Sequence, residues 1–161
     1  MPFALIDVDG VLADVRHRLG YVQTKPKDWD GFFSAAPDDA VLPEGLARAL
    51  ELATDHTLVY LTGRPERCRT DTVEWLRVHG FPDAELVMRQ DTDRRPARLF
   101  KLGQAQRLAR REAVALIVDD DGAVVDALRA EGFTVEHAIW MHESEPQQSS
   151  LFDAQEREGR T

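Results

Sequence analysis

The sequence has 161 residues, of which 43% are hydrophobic and 30% charged, and its formal net charge at pH 7 is −9. This length and composition fit one soluble globular domain and exclude general intrinsic disorder. The negative charge argues against broad, sequence-independent nucleic-acid binding, which needs many cationic contacts to phosphate, but it permits a local basic site. The single cysteine favours a reducing, cytoplasmic setting, and no apolar run approaches the roughly 20 residues that span a bilayer. We therefore expect neither secretion nor membrane attachment.

Short apolar runs alternate along the chain with longer stretches of helical spacing. Five runs are typical of strands: Phe3 to Val8, Thr57 to Leu61, Glu85 to Met88, Ala115 to Val118 and Thr134 to Ala138. The stretches between them, such as Leu99 to Ala109, repeat apolar residues at the spacing of a helix. Parallel strands need crossover connections that are usually helical. The expected fold is therefore a three-layer α/β sandwich around a parallel, mostly five-stranded, Rossmann-like sheet.

Residues 13–42 break this alternation. Trp29 and Phe33 lie there among prolines and charged residues, and we predict a short helix around Trp29 to Ala35 within an insertion over the edge of the sheet. The two aromatic side chains either anchor that helix or stack on a base. From about Glu143 onward the chain is polar. The predicted organisation is a domain of residues 1–142 that contains the insertion, followed by a mobile polar tail of residues 143–161.

Polar residues follow three of the predicted strands. In open α/β sheets a ligand binds beyond the carboxyl ends of the strands. Acidic residues come after the first and fourth strands, a Thr-Gly-Arg sequence comes after the second, and a lysine lies near the start of the helix before the fourth strand. In order these residues are Asp7, Asp9, Thr62, Gly63, Arg64, Lys101, Asp119 and Asp120. Four carboxyl groups, a hydroxyl and a cation are thus expected at one edge.

Carboxylates clustered in this way repel one another unless a cation lies among them. Magnesium prefers hard oxygen ligands and matches Asp7 and Asp119, with no histidine or cysteine nearby. An aspartate can attack phosphorus to form an aspartyl-phosphate, and Asp9 could then protonate the leaving oxygen and activate water. Thr62 and Lys101 would bind the phosphoryl oxygens and balance their charge.

These sequences, in this order, resemble the four motifs of haloacid-dehalogenase-like phosphatases. The resemblance runs to about Ile139, and within the family the chain is most similar to the phosphatase domain of bacteriophage polynucleotide kinase-phosphatase. It implies a phosphatase with Asp7 as nucleophile, a small or absent cap, and Mg²⁺ held by Asp7, Asp119, Asp120 and the backbone carbonyl of Asp9. It also implies removal of 3′-phosphates from nucleic-acid ends or nucleotides.

The arginines near these motifs are candidates for substrate binding. Gly63 and Arg64 directly follow Thr62, and Arg64 either grips a phosphate or pairs at the surface with Glu66. Arg94 and Arg95 either contact a nucleic-acid backbone or lie in an exposed loop without a role.

Two alternatives to a polynucleotide 3′-phosphatase are considered. A small-molecule nucleotidase or general phosphatase is mildly favoured by the negative charge. A signalling receiver domain also combines acidic residues, threonine and lysine on a parallel sheet, but it places its acidic pair after the first strand, whereas Asp119 and Asp120 come late in this sequence.

A second motif lies in the polar tail. Gln148, Leu151 and Phe152 resemble the Gln-x-x-Leu-Phe peptide by which bacterial replication and repair proteins dock on the sliding clamp. Such peptides act from flexible termini, where the Leu-Phe pair supplies the anchor. The alternatives are that Leu151 and Phe152 fold back on the domain or start a terminal helix ahead of Asp153 to Glu158.

Overall fold

A computed structural model describes residues 1–141 and 155–159 of the chain. Within that part the strands are β1 (Phe3–Ile6), β2 (Ala13–Asp14), β3 (Ala40–Val41), β4 (Thr57–Pro65), β5 (Glu85–Arg89), β6 (Val114–Asp119) and β7 (Val135–His137). Five of them form a parallel sheet in the order β5-β4-β1-β6-β7, and β2 pairs with β3 in a separate antiparallel ribbon. The five predicted strand runs correspond to the five strands of the main sheet, so that prediction is confirmed.

Helices cover both faces of the main sheet. They are α1 (Gly20–Gln23), α2 (Trp29–Ser34), α3 (Pro43–Leu52), α4 (Arg69–Val78), α5 (Ala97–Ala109) and α6 (Gly122–Ala130), with one further turn at residues 155–158. Successive side chains of β1 point to opposite faces, as the geometry of a strand requires. Leu5 packs in one apolar cluster with residues of α5 and α6, and Ile6 packs in the other with residues of α3, α4 and the insertion. The sandwich therefore has two cores.

Local sequence signals set the ends of several helices. Pro43 opens α3, where its missing N–H costs no hydrogen bond. The Asp121 side chain caps α6 by accepting a hydrogen bond from the Ala123 N–H. Gly80 follows α4 with a φ of 79°, a conformation that side chains with a Cβ rarely adopt. Helices α5 and α6 follow the parallel strands β5 and β6, so both begin at the carboxyl edge of the sheet.

The insertion is packed into the domain. The predicted helix is present as α2, and Trp29, Phe32 and Phe33 are all buried in it. Their ring centroids lie 5.3 to 5.8 Å apart. Such packing anchors the helix by apolar burial and aromatic contact, so the rings of Trp29 and Phe33 serve as anchors.

No helix in residues 1–141 or 155–159 has the length and apolar character needed to cross a membrane. Gln148, Leu151 and Phe152 lie outside the described residues, so docking on a sliding clamp stays a prediction. The boundary between domain and tail also stays a prediction. Of the tail, the helical turn at 155–158 and residue 159 are described, and both ends of this short segment, Gln155 and Gly159, are buried.

Candidate active site

The three central strands bring the predicted motifs together. Strand β1 lies between β4 and β6, so the residues that follow these strands meet at one carboxyl edge. The Asp7 N–H continues the ladder by donating to the Val118 carbonyl at 3.0 Å. Strand β4 extends to Pro65, farther than its apolar run, and so carries Thr62 into the site. Different strands therefore hold the acidic residues and the Thr62 hydroxyl in place.

Three buried carboxyl groups form the centre of the site. Asp7, Asp119 and Asp120 each offer a carboxylate oxygen within 4.8 Å of the other two. The Lys101 ammonium contacts Asp119 Oδ2 at 2.6 Å and Asp7 Oδ2 at 2.9 Å. Gly10 leaves room for Asp120, because a Cβ at residue 10 would lie 1.9 Å from Asp120 Oδ2. One ammonium thus faces three carboxyl groups.

This excess of negative charge shifts the pKa values of the carboxyl groups in the cluster. Burial raises the pKa of Asp7 to about 7, although Lys101 opposes the shift, and the charge of Asp119 adds to it. Burial and the charges of Asp7 and Asp119 also raise the pKa of Asp120 well above its ordinary value. Asp120 Oδ1 is buried and has no hydrogen-bond partner among the described residues. A hard divalent cation such as Mg²⁺ fits this oxygen-only set and would relieve the repulsion.

Asp9 is held differently from the other carboxyl groups. Its Oδ1 accepts hydrogen bonds from Arg64 Nε at 3.0 Å, Arg64 Nη2 at 2.6 Å and Arg18 Nη2 at 2.9 Å. Its Oδ2 has no hydrogen-bond partner in the described part of the chain. Burial favours the neutral acid, but the two guanidinium groups outweigh it and lower the pKa of Asp9 to about 2. One oxygen is therefore anchored while the other can exchange a proton.

Arg18 and Asp39 belong to this site, and the sequence did not predict them. Arg18 is completely buried, and its Nε and Nη2 donate to the two oxygens of Asp39 at 2.7 and 2.8 Å. Asp39 also accepts from Arg64 Nη2 at 3.1 Å, and His17 Nε2 lies 2.6 Å from its Oδ1. The insertion thus supplies a buried ion-pair network behind Asp9. The spacing of residues in the sequence does not distinguish Arg18 or Asp39 from other polar residues. Charged residues in an aperiodic segment usually face solvent, so a buried pair was not expected there.

The Thr-Gly-Arg motif at the end of β4 is also buried. Thr62 is buried, and its Oγ1 accepts a hydrogen bond from the Arg64 N–H at 3.1 Å. Arg64 is buried against Asp9 and donates from Nη1 to Thr72 Oγ1 at 3.1 Å, whereas Glu66 pairs with Arg69. Gly63 is buried within β4, which leaves the strand without a side chain at that position.

Arg94 and Arg95 lie in an exposed loop outside this cluster. The Arg95 side chain pairs with Asp93, and the Arg94 guanidinium donates to the backbone carbonyl of Asp91. Both side chains face solvent, so their proposed contact with a substrate is not built into the buried site.

The raised pKa values predict how the metal-free protein responds to pH. For a carboxyl group whose folded pKa lies above its ordinary value of 3.8, the folded state binds more protons than the unfolded state between the two values. Stability is therefore expected to rise as pH falls through about 7. Asp9, with its lowered pKa, loses stability only below about pH 4, outside this range. In chelator, we expect the melting temperature at pH 6 to exceed that at pH 8 by about 3 to 6 °C.

Thermal unfolding of an Asp120→Asn variant provides the control. Asn at residue 120 removes one of the buried carboxyl groups with a raised pKa, so the difference between the two pH values should shrink. Saturating Mg²⁺ should stabilise the parent more at pH 8 than at pH 6, because the ligands are then ionised. A parent whose melting temperature in chelator is equal at both pH values, or higher at pH 8, contradicts the charge imbalance.

Comparison with solved structures places the fold among haloacid dehalogenase-like hydrolases. A haloacid dehalogenase-like hydrolase from Streptococcus pneumoniae matches 98% of this chain and 92% of its own with a TM-score of 0.62 at 15% identity. A class C acid phosphatase from Bacillus anthracis with bound tungstate matches 94% and 77% with a TM-score of 0.62 at 12% identity. A chain of the Pnkp1/Rnl/Hen1 RNA repair complex matches with a TM-score of 0.69 at 21% identity.

The family itself is defined by a sequence model. Residues 2–138 match the model of the polynucleotide kinase PNKP phosphatase domain. The chain belongs to this family and is a phosphatase. In the comparison with the RNA repair complex, 85% of this chain aligns, and it spans 42% of the chain that it matches. No curated protein sequence matches this chain significantly.

Proposed function

We propose that this phosphatase is a Mg²⁺-dependent polynucleotide 3′-phosphatase that forms an aspartyl-phosphate on Asp7. The observation that carries the proposal is the buried Asp7 carboxylate, in reach of Asp119, Asp120 and Lys101, in a chain of the polynucleotide kinase phosphatase family. The family description and the similarity to a chain of an RNA repair complex support a nucleic-acid end as the substrate. The single Cys68, a free buried thiol, agrees with a cytoplasmic setting.

The reaction has two displacement steps. In the first, an oxygen of Asp7 attacks phosphorus, the bond from phosphorus to the ester oxygen breaks, and Asp9 gives its proton to that oxygen. In the second, water attacks phosphorus, Asp9 takes a proton from the water, and the bond to Asp7 breaks. The products are an alcohol, inorganic phosphate and the original Asp7 carboxylate.

Asp9 is suited to both proton transfers. With Oδ1 fixed by Arg18 and Arg64, the unpartnered Oδ2 is the oxygen that exchanges the proton. The low pKa of Asp9 keeps its carboxylate ionised in the free protein, and the ionised form is the one that can accept a proton from water in the second step. The acid role needs a protonated Asp9, and an incoming phosphoryl group provides for this because its negative charge raises the pKa of a nearby carboxyl. Arg18 and Arg64 are therefore positioning residues for Asp9.

The remaining residues bind the phosphoryl group and the metal. We expect the Thr62 hydroxyl and the Lys101 ammonium to bind phosphoryl oxygens and balance their charge. Carboxylates of Asp7, Asp119 and Asp120, with the backbone carbonyl of Asp9, would hold Mg²⁺. When bound, the ion would neutralise charge on the phosphoryl group and favour its in-line transfer. Gly63 is proposed to leave space beside the phosphate, and Arg94 and Arg95 to contact the strand from their exposed loop.

Phosphate release from a matched set of substrates tests this function. With Mg²⁺, we expect a 3′-phosphorylated oligonucleotide to give a kcat/KM at least about tenfold above that of its 5′-phosphorylated counterpart or a mononucleotide, since family and fold point to strand ends. Chelator should abolish release.

A small-molecule nucleotidase is the second candidate, because a net charge of −9 repels a polyanion. Mononucleotides that react far faster than both oligonucleotides would replace the first function with the second.

A further inference from the structure

The described part of the tail lies against cationic side chains from two separate segments. Glu158 Oε1 contacts Lys27 Nζ at 2.5 Å, and Glu158 Oε2 accepts a hydrogen bond from Trp29 Nε1 at 3.2 Å. Glu156 Oε2 contacts Arg98 Nε at 3.2 Å. Lys27 and Trp29 belong to the insertion, whereas Arg98 lies in the first turn of α5. Two carboxylates of one helical turn thus connect the insertion with α5.

These contacts are beside the active site. Arg98 precedes Lys101 by three residues on α5, which is about one helical turn. Glu156 pairs with Arg98 in this first turn, so its carboxylate lies on the same side of α5 as the start of the helix. Gly159 packs directly on the loop before α5, where a Cβ would lie 2.1 Å from the Arg94 carbonyl oxygen. The tail therefore approaches the edge where the ester would bind.

Placing carboxylates there is electrostatically unusual. The edge already carries the carboxyl groups of Asp7, Asp119, Asp120 and Asp121, and further negative charge destabilises them. The cations Lys27 and Arg98 and the Trp29 N–H offset this repulsion. Here an ammonium, a guanidinium and an indole N–H bind carboxylates. The same three kinds of donor also bind phosphate oxygens. The surface is thus a local anion site within a chain of negative net charge.

We propose that Lys27, Trp29 and Arg98 form a subsite for phosphodiester groups of the strand next to the scissile phosphate, and that Glu156 and Glu158 compete for it. The inference rests on the proposed polynucleotide substrate. The strand backbone lies across Lys27 and Arg98, and the Trp29 N–H adds a hydrogen bond while its ring stays buried in the aromatic cluster. The tail must leave these residues before a strand can bind, so the two carboxylates set the affinity for long substrates.

Removing the competing charges should improve the use of an oligonucleotide. A Glu156→Gln/Glu158→Gln variant is expected to lower KM for the 3′-phosphorylated oligonucleotide by about threefold to tenfold, the range expected from losing two partly exposed ion pairs. Its KM for p-nitrophenyl phosphate should stay within about twofold of the parent, because that compound carries no neighbouring phosphodiester. An unchanged KM for the oligonucleotide in this variant overturns the competition.

The subsite itself is tested in that variant, where Glu156 and Glu158 no longer compete. Adding Lys27→Gln and Arg98→Gln should lower the ratio of kcat/KM for the oligonucleotide to that for p-nitrophenyl phosphate by about tenfold. The slope of log KM against log salt should also fall by about 1.4, or about 0.7 for each lost phosphate contact to a single strand. The matched control is Arg77→Gln, an exposed guanidinium on α4 that pairs with Glu74 and should change neither quantity.

The outcomes separate this inference from the proposed function. If the parent hydrolyses the oligonucleotide but the Lys27→Gln/Arg98→Gln change leaves the ratio and the salt slope unaltered, the subsite is wrong and the phosphatase function stands. If the parent hydrolyses p-nitrophenyl phosphate but not the oligonucleotide, both are wrong. A fall in the ratio without a change in salt slope also overturns the subsite, because the lost contacts would then not be to phosphates.

Discussion

An Asp7→Asn protein is expected to lose at least about 10³-fold in kcat for phosphate release while remaining folded. The amide cannot attack phosphorus, so no covalent step is available, and the remaining groups can only bind the phosphoryl group. Asn keeps the size of the side chain, and its Oδ1 can still accept the hydrogen bond that the Val8 N–H gives to Asp7 at 2.8 Å. The measurement is single-turnover phosphate release from the 3′-phosphorylated oligonucleotide.

Folding of this variant distinguishes lost chemistry from lost structure. Burial holds the pKa of Asp7 at about 7, so its ionised form destabilises the metal-free fold at pH 8. Asp7→Asn should therefore raise the free energy of unfolding in chelator by about 1 to 2 kcal/mol. Asp71→Asn, an exposed change on α4, is the matched control and should keep full turnover. Wild-type turnover by Asp7→Asn contradicts the assigned nucleophile.

Arg18→Met is expected to lower the free energy of unfolding by about 3 to 5 kcal/mol, the usual effect of removing one partner of a buried ion pair. The Met side chain fills similar space but leaves Asp39 with Arg64 and His17, and leaves Asp9 with Arg64 alone among charged donors. The change also removes the guanidinium that lies 4.2 Å from the centroid of the Phe32 ring. Urea denaturation measures the difference.

The neighbouring Arg16 supplies the control for this prediction. Its guanidinium pairs with Asp14 near the surface and is 42% exposed, so Arg16→Met should cost less than about 1 kcal/mol. Arg18→Met should also lower kcat where it remains folded, because Asp9 loses one of its hydrogen-bond donors. Equal urea midpoints and equal slopes for the two variants would show that the buried network does not stabilise the fold.

The fold was predictable because its strands are buried on both faces and therefore read as short continuous apolar runs. The runs at β1 and β6 also bring the acidic motifs that follow them to one edge, so Asp7, Asp9 and Asp119 could be assigned to a common site from order alone. Strand β4 was predicted too short, since apolar content falls at Thr62 although the backbone stays extended to Pro65. The β2–β3 ribbon, with two residues in each strand, is too short to give a periodic signal.

The buried network behind Asp9 was not predictable. Arg18 and Asp39 are 21 residues apart in an aperiodic segment, and only the folded insertion brings them together. Arg64 illustrates the same limit, because the sequence offered Glu66 as its partner, whereas in the folded chain its guanidinium binds Asp9. The pairing of Glu158 with Lys27 joins residues 131 positions apart and has no local signal either.

Different elements of the fold supply the groups at this edge of the sheet. The strands supply Asp7, Thr62 and Asp119, the insertion supplies the charges that hold Asp9, and α5 supplies Lys101. Residues 155–159 lie beside this edge. On the proposed function, the local cations there would let the end of a polynucleotide strand approach Asp7 despite the net charge of −9.

Whether Asp7 is the nucleophile is tested by locating the phosphoryl group on the protein during turnover. The protein, mixed with a 3′-phosphorylated oligonucleotide and Mg²⁺ and quenched in acid within one turnover, would be digested and its peptides analysed by mass spectrometry. If Asp7 is the nucleophile, a phosphorylated aspartate at residue 7 should form and decay at rates compatible with phosphate release and be missing from Asp7→Asn. Release of phosphate with no phosphorylated protein, or with the phosphoryl group on another residue, would rule out Asp7 as the nucleophile.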